Sequence, residues 1–183
     1  MGDALRRLFL SIGIALGLAS GQPDPCLLAR VALMGDPSSG GRLVVSARVE
    51  NAFAPGAREL IETGTRVALR FTALAEALGG RELGAVETRS LRYDLRTGLY
   101  DVTFEGGKTA SLVDLQAAMT LASELPILEL CRATEATEGT RVVVRAEIGI
   151  IDSRGAWHDA PMLWNYHGPR AVLAYGRRAE GGR

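Results

Sequence analysis

The chain has 183 residues, 47% of them apolar and 23% charged, which suits one domain with a real core and argues against wholesale disorder. Lys+Arg and Asp+Glu are equal at 21 each, so no bulk field draws the protein to nucleic acid or another polyanion. Among the basic residues only Lys108 is lysine. The arginines are scattered along the chain, read as base composition, and point to no function.

The first residues have the three-part layout of a secretory signal peptide. Arg6-Arg7 precede the uncharged run "LFLSIGIALGLA" (8–19), and "ASG" then offers small residues at Ala19 and Gly21 for cleavage. The run is shorter than the roughly 20 residues a spanning helix needs. The expectation is an exported protein of the periplasm or cell envelope, with residues 1–21 as the signal segment. Membrane attachment follows only if that segment stays uncleaved. Export in turn permits a disulfide between Cys26 and Cys131. That bridge would close a loop worth up to ~4.7 kcal/mol in the chain-entropy model. The other reading makes Cys131 a small apolar strand residue.

Residues 22–40 mix turn formers with one short apolar run and read as a leader with an edge strand. From 41 the period becomes two: Leu43, Val45, Ala47 and Val49 share one face. "PGARELIETG" (55–64) has Pro near its start and Gly at its exit, which predicts a short helix. In "TRVALRFTA", Val67, Leu69 and Phe71 point inward while Arg66, Arg70 and Thr72 point outward. Two alternating arms then flank Arg96-Thr97-Gly98. Leu91, Tyr93 and Leu95 fall on one face, and Tyr100, Val102 and Phe104 on one face of the return, so the stretch predicts a hairpin.

"SLVDLQAAMTLASEL" (111–125) is the convincing helix. Ser111 with Asp114 makes a capping pattern, Leu112, Leu115, Ala118, Met119, Ala122 and Leu125 form the stripe, and Pro126 ends it. "ILELCRAT" and "TRVVVRAEIGII" are strands. The second puts Val142, Val144, Ala146, Ile148 and Ile150 opposite Arg141, Arg145 and Glu147. Arginines on the polar strand faces, with Glu87, Asp94, Asp101, Glu129 and Glu147 in comparable places, predict cross-strand charge pairs. The whole is mainly β: an antiparallel β-sandwich of immunoglobulin-like arrangement with one amphipathic and one short helix. It forms a single domain over 41–176, followed by a disordered tail at 177–183.

Taken in order, "ELIETGTRVALRFTA", "LRYDLRTGLYDVTF", "SLVDLQAAMTLASEL" and "RVVVRAEIGII" resemble an exported bacterial family catalogued as domain of unknown function 4390. The match covers roughly residues 42–151, and the hairpin and the helix carry most of its specificity. The resemblance implies an exported β-rich protein without an established activity, and it transfers no catalytic residue. Residues 152–183 depart from the family's pattern.

No nucleotide-binding loop, G-x-S-x-G, HExxH or CxxC occurs, and the only histidines are His158 and His167. The cluster "WHDAPMLWNYH" (157–167) holds the chemistry that remains. His158, Asp159 and His167 supply a candidate metal set, without the fixed i, i+4 geometry of a helical motif. Trp157, Trp164 and Tyr166 supply a candidate stacking surface for a sugar or peptide. The bland alternative is that the tryptophans cap the open end of the sandwich. The expectation is a non-enzymatic binding or accessory module with no cofactor, partnered by another envelope protein through exposed sheet edges. A small hydrolase or metal enzyme using 157–167 and a membrane-anchored structural component are the alternatives.

Overall fold

The computed structural model describes residues 27–34, 41–76, 82–132, 135–136, 139–164 and 168–175. The signal segment, Cys26, Tyr166, His167 and the tail at 177–183 lie outside the described residues. Two antiparallel sheets pack face to face. The smaller has the order β1-β2-β7, from Leu27–Met34, Arg42–Glu50 and Glu124–Arg132. The larger has the order β10-β8-β3-β4-β5-β6. Its strands are Arg66–Glu76 (β3), Glu82–Asp94 (β4), Leu99–Thr103 (β5), Thr109–Leu112 (β6), Arg141–Ile151 (β8) and Arg170–Ala174 (β10). A three-residue β9, Trp157–Asp159, also pairs with β8. The antiparallel β-sandwich read from the alternation is therefore the architecture, and the run 27–34 is an edge strand.

The core follows the period of two. Leu43, Val45 and Val49 of β2 are buried against Val67, Leu69 and Phe71 of β3 and Val142, Val144 and Ile148 of β8. Burial of this kind stabilises by about 25 cal/mol per Å² of apolar surface. Helix α1 (Pro55–Glu62) has Pro at its start and sinks Ala57, Leu60 and Ile61 into the core. It ends as the sequence predicts: Gly64 is left-handed (φ 85°). The amides of Gly64 and Thr65 donate to the carbonyls of Ile61 and Leu60 at 2.9 and 3.0 Å.

Helix α2 (Leu115–Ser123) is shorter than expected. Its cap is Asp114, whose carboxylate accepts from the Ala117 amide at 2.7 Å. Ser111 is not the cap; it lies on β6 and its hydroxyl donates to Asp101 at 2.7 Å. Leu112 and Leu125 belong to β6 and β7, outside the helix. Pro126 does not end the helix either. The chain turns straight from Ser123 into β7, and Pro126 sits in that edge strand, where a missing N–H is tolerated.

That abrupt junction leaves last-turn carbonyls without helical partners. Arg89 of β4 supplies them: its guanidinium donates to the Leu121 carbonyl at 3.1 Å and to the Glu124 carbonyl. Arg89 is 5% exposed, with Glu87 beside it at 3.4 Å and the Phe104 ring 5.0 Å away. Burial lowers the Arg89 pKa against the raising effect of Glu87. Glu87 is thus not on the solvated face. Its register partner is Phe71, on the core side of β3.

The hairpin of β4 and β5 has the expected register, with Tyr93 opposite Tyr100 and their rings 4.9 Å apart. Leu91 and Val102 pair and are fully buried. Leu95 does not join that face; it stands in the turn, 74% exposed. Gly98 is left-handed there, and Asp94 accepts from the Arg96 amide at 2.9 Å. Charge pairing across strands occurs as expected at Arg92–Asp101 (3.2 Å), Arg48–Glu124 (3.4 Å) and Arg42–Glu129.

Candidate functional site

The chemistry of residues 152–164 is organised by the turn between β8 and β9. Asp152 accepts from the Arg154 and Ala156 amides, both at 2.9 Å, through Oδ1. Its Oδ2 lies 3.1 Å from Nε2 of His158. The His158 hydrogen bond, then the Ala156 amide, hold the Asp152 carboxyl below its ordinary pKa. Both carboxylate oxygens are engaged in closing the turn, so the pair acts as a pin for the hairpin.

The two tryptophans do different work. Trp164 lies on a 3-10 turn (Pro161–Trp164), is 7% exposed, and donates from Nε1 to the Ala52 carbonyl at 2.7 Å. It caps the sandwich. Trp157 pairs with Ile151 in the register and stands half-buried. Its ring lies over Gly149, where a Cβ would come within 2.5 Å of Cζ2. The Arg70 guanidinium sits 3.9 Å from the ring centre, and Nε1 donates to Asp159 at 2.6 Å. Three neighbours therefore fix this aromatic in place.

The proposed metal set is not assembled by what the structure describes. His158 and Asp159 are consecutive on β9, so their side chains leave opposite faces of the strand. One is bonded to Asp152 and the other to Trp157. Among the described residues no three His, Cys, Asp or Glu come together. Of the expected stacking surface, Trp157 has the geometry, Trp164 is committed to the core, and Tyr166 lies outside the described residues. Of the expected Cys26–Cys131 bridge only one end is described: Cys131 is half-buried on β7, opposite Leu43 of β2, and Cys26 lies outside the described residues.

Between β9 and β10 no described strand pairs with β8, and a cavity of about 450 Å³ lies beside that stretch. The chain leaves β8 where the Ala160 amide donates to the Ile148 carbonyl, and returns where Pro169 accepts from the Ala146 amide, both at 3.1 Å. Gly168 permits the return: a Cβ there would stand 2.7 Å from the Ala146 carbonyl oxygen. Arg145, Glu147, Asp159 and Arg170 line the notch. Sequence reasoning placed Arg145 and Glu147 on an outward face but missed Arg170. The only signal was its position in the weakly patterned C-terminal segment.

Comparison with protein-family models, with curated proteins and with solved structures finds no match to this chain.

Proposed function

We propose that this is an exported, non-enzymatic envelope protein that acts as a binding or accessory module for another envelope protein. The resemblance of its hairpin and helix to the family named above is part of that reading, as is the signal-like N-terminus. The observation that carries the binding role is Trp157. It is half-buried on the outward side of the larger sheet, held by Gly149, Arg70 and Asp159, next to an open notch. An aromatic fixed in advance offers contact area at little cost in conformational entropy. The residues around it engage one another as pins and stacks, which suits recognition better than turnover.

Two measurements test the reading. Envelope extract passed over immobilised protein should leave a specific partner that the Trp157→Ala protein fails to retain. Equal retention by both proteins, or by neither, overturns the role of this face. The N-terminal residue of the protein recovered from a periplasmic fraction tests export: cleavage after Ala19 or Gly21 is expected. Recovery with Met1 in the cytoplasm overturns it.

A further inference from the structure

We infer that the notch between β9 and β10 binds an oxyanion, a carboxylate or phosphate group held by Arg145 and Arg170 from two adjacent strands. The inference names the ligand chemistry of the surface proposed above and rests on that reading. Arg170 and Arg145 are directly opposite in the β10–β8 register. Both are exposed, and both line the cavity. Like charges placed directly opposite in a sheet destabilise it. Of the other strand arginines, Arg42, Arg48, Arg89 and Arg92 have a carboxylate within ion-pair distance and Arg70 stacks on Trp157. Arg66, Arg132 and Arg141 have no ion pair among the described residues, but none of them stands opposite another arginine at this cavity. Among the described residues Arg145 and Arg170 have neither an ion pair nor a hydrogen bond through the side chain.

Two arginines directly opposed in the register and lining one cavity suit a planar or tetrahedral oxyanion, which can accept from both at once. The rest of the notch gives the ligand a direction. Glu147 lies two residues along β8 from Arg145, and Asp159 pairs with Gly149 beyond it. Their carboxylates repel a second anion and favour hydroxyl or amine groups at that end. Asp159 is already tied to the Trp157 indole, so the aromatic and the acidic end form one wall. The volume falls in the range of small-ligand sites, roughly 300–1,000 Å³.

Thermal unfolding is followed at fixed ionic strength with inorganic phosphate, with acetyl-dialanine, and with acetyl-dialanine amide as the uncharged control. The wild type should be stabilised saturably by an oxyanion and not by the amide. A response to phosphate alone assigns a phosphate source, and a response to acetyl-dialanine alone assigns a carboxylate. Arg145→Gln and Arg170→Gln should each weaken the response about tenfold or more, the worth of one charge-assisted hydrogen bond. In chloride buffer without phosphate or carboxylate, Arg170→Gln should melt no lower than wild type, because it removes a like-charge contact. No saturable response in the wild type, an unchanged response in both variants, or a lower melting temperature for Arg170→Gln overturns the assignment. Trp157→Ala keeps both arginines. If it loses the partner while wild type ignores every oxyanion, the notch assignment fails and the binding-module reading stands. If oxyanions bind but Trp157→Ala retains the partner, the reverse holds.

Discussion

Replacing Arg89 by methionine removes the guanidinium while keeping most of the side-chain volume, and it should cost as much as truncating a core side chain. The guanidinium is 5% exposed and serves the carbonyls of Leu121 and Glu124, where α2 runs into β7 without a connecting turn. Each carbonyl left unpaired costs about 1–3 kcal/mol. Glu87, whose side chain is 21% exposed, loses its partner as well. Breaking a buried pair from one side costs about 3–5 kcal/mol, so a loss near 4 kcal/mol is expected from a domain of ordinary stability, about 5–15 kcal/mol. Equilibrium urea unfolding gives the number, with an unchanged m-value as the check that compactness is kept. The double replacement Glu87→Met with Arg89→Met should recover only part of the loss. It removes the stranded carboxylate and leaves the carbonyls unpaired. A loss below about 1 kcal/mol for Arg89→Met, or full recovery in the double replacement, would falsify this account of the junction.

Gly149→Ala should expel the Trp157 ring, because the new Cβ meets Cζ2 at 2.5 Å and the His158 carbonyl oxygen at 2.8 Å. We expect a red-shifted component in the tryptophan emission relative to wild type, with a stability loss of about 1–3 kcal/mol; unshifted emission would contradict the packing. Asp152 gives an acid-limb prediction. Its folded pKa lies below the ordinary 3.8, so its stabilisation is present above that value and is lost as pH falls through the folded pKa. Melting temperature against pH should therefore fall less steeply below about pH 4 in Asp152→Asn than in wild type. Parallel curves would refute the pin. Cys131, whose thiol burial pushes above its usual pKa, should alkylate slowly in the folded protein. It should alkylate fully after denaturation without reductant if the thiol is free, whereas protection until reductant is added would establish the bridge to Cys26.

The sandwich was legible because most strands bury one face and solvate the other. The patterns read at Leu43–Val49, Val67–Phe71 and Val142–Ile150 survive in the buried core with their inward parity intact, even where the β2–β7 ladder shifts register. The helix boundaries were not legible. Ser111 fits a capping pattern as well as Asp114 does, and only the pairing of Ser111 with Asp101 across β5 and β6 decides between them. Leu95 continues the period of its strand, but the turn begins there and ends the alternation. Glu87 misled for a different reason. Counting back by twos from Leu91 places it on the buried face with Arg89, yet its charge argued for solvent. Parity was the better guide, because Glu87 accompanies an arginine that meets carbonyls a one-dimensional pattern does not show.

The cluster at 157–164 holds two unlike roles because the chain there breaks the sheet edge. Had β9 continued along β8, Arg145 and Arg170 would sit in an unbroken ladder and the notch would not exist. The strand instead stops at Asp159, drops Ala160, Leu163 and Trp164 into the core, and re-forms at Arg170. The inward drop anchors the detour, with Trp164 fastened to Ala52 from a distant part of the chain. That anchoring holds the detour beside the stretch of β8 that no described strand pairs, and a loop laid over a sheet edge is one way of keeping it from pairing with another chain. Trp157, placed on the outward side just before the break, then borders a gap whose shape the core maintains. The buried tryptophan and the outward one are two halves of one arrangement. Loosening the first should therefore unmake the surface formed by the second, even though their side chains leave the chain in opposite directions.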